Sequence, residues 1–188
     1  YNSISITSFK HKEELLSLRD ELMAKGCICY CETGDAGDME FMEKFIQNTI
    51  DHLGSDIDLL INNAGISYVG LINDMTAQDF DRTMKSNVYS VFNSCRLVVP
   101  HMIQHHKGHI INISSVWGNV GASCEVAFGA IDTSMNGHLS PEERQMLEDE
   151  IPAGRMAIPS EAADFIVHIA ECGEYLNGQV ITFDGAWQ

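Results

Sequence analysis

The 188-residue sequence predicts an α/β fold: a doubly wound parallel sheet, in one domain, with helices on both faces. Short continuous apolar runs at 27–31, 58–62, 109–114 and 179–184 read as strands buried on both sides. Segments with apolar residues at helical spacing lie between them. Capping residues and glycines punctuate the alternation.

Each element has its own reason. YNSIS at the start resembles the tail of a strand. HKEELLSLRDELMAKG (11–26) places Leu15, Leu18, Leu22 and Met23 on one helical side and closes on Gly26. CICYC follows as a strand with Cys27, Cys29 and Cys31 on one face. Asp38 caps a helix through about His52, with Phe41, Phe45, Ile46 and Ile50 on its apolar side and Gly54 after it. DLLINNAG is a strand entering a glycine turn. Thr76 opens a long helical region to about His106, bent near Pro100. HIINISS is the next strand. Ser140 caps SPEERQMLEDE, Ser160 caps SEAADFIVHIAE, and QVITFDG is the last strand.

Composition narrows the function. The 27 acids outweigh 11 bases, for a formal charge of −16, and that field repels nucleic acid. The acids are dispersed, as on a solvated face. No apolar run approaches the roughly 18 residues of a membrane span, and no charged-then-apolar leader opens the sequence. The six cysteines, at 27, 29, 31, 95, 124 and 172, lack a small-secreted spacing and read as reduced thiols of a cytoplasmic protein. CICYC lacks the turn and fourth ligand of a metal cluster, so its cysteines read as small apolar strand residues. No metal site is expected.

The strand accounting is incomplete. Between the third and fourth strands, GASCEVAFGAIDT offers no crossover helix, although parallel pairing requires one. No G-x-G-x-x-G or G-x-x-x-G-x-G occurs to seat a pyrophosphate on a helix N-terminus. The sheet lacks its middle.

The motifs carry a resemblance. NNAG at 62–65, KSNVYSVF at 85–92, INISS at 111–115, GAIDT at 129–133, and the two terminal segments IPAGRMAIPSEAADFIVHIA and YLNGQVITFDGAW come in one order. Together they resemble the short-chain dehydrogenase/reductases, most of all the bacterial 3-oxoacyl-acyl carrier protein reductase branch. The resemblance spans essentially the whole sequence and implies a Rossmann-like domain over 1–188. It implies that Ser115 is catalytic and that Asn87 holds a proton-relay water. It also implies that Asn63, Ala64 and Gly65 border the adenosine, and that Gly129, Ile131 and Thr133 touch the nicotinamide and pyrophosphate. Glu32 stands where relatives commonly carry an Asp that meets the adenine. The point at which NAD enzymes place an acid for the ribose 2′-OH is read at Tyr1-Asn2-Ser3 and has none, which leans towards NADPH. The implied substrate is a 3-oxoacyl thioester on acyl carrier protein, and the implied assembly a homotetramer. The carrier is itself acidic, so a chain of this charge needs a local basic patch to dock it. WGNVGASCEVA also looks like a sub-branch related to the 5-aminopentanone reductase acting on modified elongation factor P.

Two departures matter. The family's catalytic Tyr and Lys, in a Y-x-x-x-K pattern, follow the Ser by about a dozen residues, but that slot falls on Phe128 and no Lys follows. The glycine motif is missing too. Phe128 fits the loop after the sixth strand better, as though about thirty residues were absent between Ala127 and Phe128 and a similar number before Tyr1. If the chain is continuous there, the reading changes to a catalytically inactive scaffold or dinucleotide sensor.

Other readings of the same residues stay open. Ser115 alone is a polar residue at a strand end, Asn87 a partner for backbone in a helix irregularity, and Asn63 a structural bond-maker. DTSMNGHLSPEE at 132–143 has EF-hand spacing, with Asp132, Ser134, Asn136, Gly137 and Glu143, but few carboxylates. His101, His105, His106 and His109 read as a solvated helix end facing its last carbonyls.

Overall fold

The computed structural model describes residues 2–54, 56–68, 70–115, 131–133, 136–137, 139–173 and 175–187. They form two compact units, Tyr1–Tyr68 with Ile72–Asn112, and Val69–Leu71 with Ile113–Gln188.

The first unit opens with β1 (Ser3–Ser8), whose Ser/Ile alternation in SISITS has the period of a strand. It is a full strand rather than a tail. After α1 (Lys12–Ala24), β2 (Ile28–Thr33) pairs with β1 in parallel, from Ser3 opposite Ile28 to Ser8 opposite Thr33. α2 (Met39–Leu53) begins where the Asp38 side chain accepts the Phe41 N–H at 3.0 Å. It ends at Gly54, whose φ of 58° suits a residue without Cβ. The Tyr30 ring stacks on Phe45 and His52 of α2, at 5.8 and 4.5 Å between centroids. Tyr30 and Glu32 therefore face α2, and the alternate residues Cys29 and Cys31 take the other face of the strand. Cys27, Cys29 and Cys31 are free and partly buried, and burial pushes the Cys29 thiol up. That is the environment expected of small apolar strand residues.

β3 (Leu59–Asn62) and β4 (His109–Asn112) form a second parallel pair, with Asn62 opposite Asn112. The long helical region expected from 76 to about 106 runs from Ala77 to His105, but its irregularity is a π-helical turn rather than a bend near Pro100. α3 (Ala77–Met84) passes into a π-helical turn at Lys85–Tyr89, and α4 (Ser90–His105) follows. The Ser90 N–H donates to the Lys85 carbonyl, five residues back. Pro100 remains inside α4, so the irregularity sits eleven or more residues before it. The swollen turn brings Lys85 against Gly37 and Asn87 against Ile66, as described below.

α2 packs on β1, β2 and α4, and α4 packs on β3, so the two helices make one layer over both strand pairs. Val98 of α4 is fully buried, and Met42 and Phe45 of α2 nearly so. Buried polar residues of α4 are satisfied: Asn93 Nδ2 donates to the Ala36 carbonyl at 3.2 Å, and the Ser94 hydroxyl to Asn62 Oδ1 at 2.7 Å. Among the described residues no ladder joins the β1–β2 pair to the β3–β4 pair.

In the second unit, Leu147 of α5 (Pro141–Glu150) packs with Ile151 and Met156, backed by Leu139 and Trp187, and α6 (Pro159–Glu171) follows. Ser140 caps α5 as expected, its hydroxyl accepting the Glu143 N–H. Ser160 does not cap α6. The helix starts two residues earlier than a Ser160 cap implies, at Pro159 after the N-cap Ile158, and the Glu161 carboxylate accepts the Ile158 N–H at 2.9 Å. Residues 179–184, expected as the last strand, form none. A strand is stabilised by a ladder, and the described residues of this unit offer no strand to pair with. Val180 is left 85% exposed, while Phe183 stacks on Phe165 at 4.9 Å. No helix among the described residues is long and apolar enough to cross a membrane.

Candidate dinucleotide and carbonyl site

In parallel α/β sheets, ligands bind beyond the C-terminal ends of the strands. In the first unit those ends are Ser8, Thr33, Asn62 and Asn112, and side-chain bonds tie several of the segments there together. Asn87, in the π-helical turn, accepts the Ile66 N–H at its Oδ1 and donates from Nδ2 to the Ile66 carbonyl, both at 2.8 Å. The loop after β2 is fixed to the same turn. Asp35 Oδ1 accepts the Gly37 N–H at 2.9 Å, and Asp35 Oδ2 lies 2.9 Å from Lys85 Nζ. This acid holds the Lys85 ammonium above its usual range. A Cβ on Gly37 would stand 2.4 Å from the Lys85 carbonyl oxygen, so only glycine permits this approach. Asn62 completes the cluster, donating to Asn112 Oδ1 at 2.8 Å across the β3–β4 pair.

Asn63, Ala64 and Gly65 are exposed where β3 ends. Glu32 lies near the C-terminal end of β2. Its carboxylate accepts from the Tyr30 hydroxyl and, at 3.4 Å, from Asn48 Nδ2. A cleft of about 280 Å³ opens between the start of α1 and the end of β2, lined by Lys12, Leu15, Leu16, Cys31, Glu32 and Thr33. β1 runs to Ser8, so its C-terminal end does not lie at Tyr1-Asn2-Ser3. The chain leaves β1 through Ser8, Phe9, Lys10, His11 and Lys12, again without an acid but with two lysines. The alternation in SISITS could have located that end from sequence.

Ser115 stands three residues beyond β4, half-buried and bonded. Gly129 and Phe128 lie outside the described residues. Ile131 forms a parallel bridge to Ala157, and the Asp132 N–H donates to the Ala157 carbonyl at 2.8 Å. The buried Asn136 holds this turn from inside, donating from Nδ2 to the Ile131 carbonyl at 2.7 Å and from its N–H to the Thr133 carbonyl at 3.0 Å. In the sequence, Asn136 had only a place in a calcium-loop pattern. The loop's acids are engaged elsewhere: Asp132 takes both arms of the Arg144 guanidinium, at 3.0 and 2.7 Å, and Glu143 closes the cap of α5. Arg144 holds the Asp132 carboxyl below the usual range.

The family model described as short chain dehydrogenase matches residues 4–147. The chain belongs to that family. It has the Rossmann-like α/β fold of these enzymes and is an NAD(P)-dependent oxidoreductase. An uncharacterized oxidoreductase, YmfI, of Bacillus subtilis strain 168 is 32% identical over 162 residues, covering 70% of this chain and 67% of that protein. The 3-oxoacyl-[acyl-carrier-protein] reductase of Thermotoga maritima is 31% identical over 179 residues, or 79% of this chain and 72% of its own length. The corresponding reductase of Staphylococcus aureus strain Mu50 is 27% identical over 216 residues, 98% of this chain and 87% of that one. Each alignment is about thirty positions longer than the stretch of this chain it covers: 162 against about 132, 179 against about 149, and 216 against about 184. Among solved structures, a gluconate 5-dehydrogenase from Burkholderia cenocepacia superposes with a TM-score of 0.86, at 22% identity over 98% of this chain and 84% of that one. At that identity the likeness shows the fold.

Gly65 stands three residues beyond the end of β3. A Cβ there would meet only the Asn87 side chain, at 3.6 Å, which is ordinary contact. The protein's own packing does not demand the glycine, which lies beyond the C-terminal end of β3, the side on which ligands bind in parallel α/β sheets.

Proposed function

We propose that the chain is an NADPH-dependent carbonyl reductase acting on 3-oxoacyl thioesters of acyl carrier protein. The observation that carries it is the doubly bonded Asn87–Ile66 pair, which fixes the turn after Asn63-Ala64-Gly65 at the C-terminal end of β3. The relatives named as 3-oxoacyl-[acyl-carrier-protein] reductases support the substrate class.

Lys10 and Lys12 favour the phosphorylated dinucleotide, since cations accommodate a 2′-phosphate where NAD enzymes place an acid. Two fold relatives agree in kind: the Burkholderia protein was solved with NADP and tartrate, and a point variant of ElxO with NADPH. The adenosine would lie along the Glu32–Thr33 end of β2 and Asn63-Ala64-Gly65. Gly129, Ile131 and Thr133 would line the nicotinamide and pyrophosphate.

When bound, the nicotinamide would supply a hydride to the substrate carbon. Ser115 donates a hydrogen bond to the carbonyl oxygen as negative charge develops there. Asn87 holds the relay water from which the proton is replaced. On this reading the proton donor, a Tyr with a Lys beside it, belongs to about thirty residues that this sequence lacks between Ala127 and Phe128; alignments about thirty positions longer than the stretch of this chain they cover support an omission of that size. An exposed apolar stripe along the π-helical turn and α4, with Val88, Tyr89 and Phe92, supports pairing of these helices in a homotetramer.

The test is peptide mapping followed by a rate. A peptide carrying Tyr and Lys between Ala127 and Phe128, with NADPH oxidation driven by an acetoacetyl thioester, is the expected pair of results. A peptide running Glu125-Val126-Ala127-Phe128-Gly129 without insertion, together with no turnover, would leave a dinucleotide-binding protein without catalysis.

A further inference from the structure

α4 carries His101 and His105 four residues apart, so both rings project from one face, one turn apart. No acid stands beside them in sequence. The fold supplies one: Asp56, from the segment leading into β3. Its Oδ2 lies 3.1 Å from His105 Nδ1 and its Oδ1 lies 3.7 Å from His101 Nε2. The two rings are 4.5 Å apart between centroids. One donor atom from each of the three residues lies within 4.8 Å of the others.

His101 Nε2 is buried and has no hydrogen-bond partner among the described residues. Such a group costs free energy unless something satisfies it. The acid at 3.7 Å is too far to accept a hydrogen bond. A helix end facing its own carbonyls accounts for histidines there, but not for a buried ring nitrogen aimed at a carboxylate it does not reach.

We propose that Asp56, His101 and His105 form a binding site for a divalent transition-metal ion of the zinc type. Two imidazoles and one carboxylate suit such ions, at about 2.0–2.2 Å per bond, with water in a fourth position. Ligand atoms of a tetrahedral site stand roughly 3.4 Å apart at those bond lengths, so the observed spacing closes onto an ion with small side-chain movements. The chain's negative charge favours a cation anywhere on its surface. Asp56 precedes β3, so the site lies at the N-terminal end of that strand, opposite to the Asn87 cluster. Its role is to clamp the end of α4 to the start of β3. It does not depend on the reductase reading.

Titration of the chelator-treated protein with zinc, followed by calorimetry and thermal melting, tests this. One saturable equivalent and a raised Tm are expected. Asp56→Asn and His105→Gln should each weaken zinc binding at least about tenfold and abolish the rise in Tm. Cobalt in place of zinc should show a visible spectrum of nitrogen and oxygen donors without a thiolate charge-transfer band. No saturable binding, unchanged affinity in Asp56→Asn, or a thiolate band that moves the metal to the cysteines would each overturn the proposal. If His105→Gln melts abnormally without metal, the half-exposed Asp56→Asn decides.

Discussion

The side-chain amide of Asn87 bonds the backbone of Ile66 as a neighbouring strand would, accepting its N–H and donating to its carbonyl, both at 2.8 Å. A π-helical turn delivers the amide, and such turns recur at functional sites because they re-aim side chains that a regular helix would point elsewhere. Replacing Asn87 by Ala removes both bonds. We expect a loss of about 1 kcal/mol in urea unfolding and a larger relative fall in kcat. Asn87→Asp should be worse than its size suggests, because a carboxylate cannot donate to the Ile66 carbonyl. Equal stability and equal kcat in Asn87→Ala would remove both the positioning and the relay role.

Gly37 and Gly65 should respond oppositely to alanine. At Gly37 a new Cβ meets backbone at 2.4 Å, so the loop must withdraw from Lys85, at a cost of about 1–3 kcal/mol. At Gly65 the new Cβ finds only ordinary contact at 3.6 Å, so Tm should hold while NADPH binding weakens. Fluorescence titration with NADPH separates the two. A Gly65→Ala protein that binds NADPH normally would contradict the placement of the cofactor.

Lys10 and Lys12 follow β1 without an intervening acid. Replacing both by Glu should lower kcat/KM for NADPH by about tenfold or more, on the order of one lost charge-assisted contact, and leave NADH much less affected. The ratio of the two coenzymes in one steady-state assay is the readout.

Glu161 binds both arms of Arg155, at 2.8 and 2.7 Å, and accepts the Ile158 N–H. Arg155 first and that N–H second hold its carboxyl at about 2, against an ordinary 4.5. A depressed carboxyl stabilises the fold above its unfolded value and loses that contribution as pH falls from about 4.5 towards about 2. NMR titration should show Glu161 ionised at pH 4. In Arg155→Gln its midpoint should return towards the ordinary range, and an unmoved midpoint would contradict the assignment.

The helices were legible where a cap and an apolar period agree. Asp38, Thr76 and Ser140 all cap as their sequences suggest. Ser160 misled because Pro159 accepts the first helical position, where its missing N–H costs nothing. QVITFDG has a strand's composition, but a strand also needs a partner, and composition does not report one. The π-helical turn was invisible because KSNVYSVF fits either kind of helix. Asn87 was found through resemblance, whereas its bonds to Ile66 join residues 21 apart in sequence. Asp56 was missed for the same reason: its histidines lie more than forty residues away, and spacing rules see only local pairs.

The most direct test is the initial rate of NADPH oxidation by the purified protein with an acetoacetyl thioester, compared with Ser115→Ala. We expect one 3-hydroxyacyl product per NADPH consumed and a fall of at least about a hundredfold in the variant. Oxidation no faster than in buffer, in protein shown to carry the Tyr and Lys, would contradict the account.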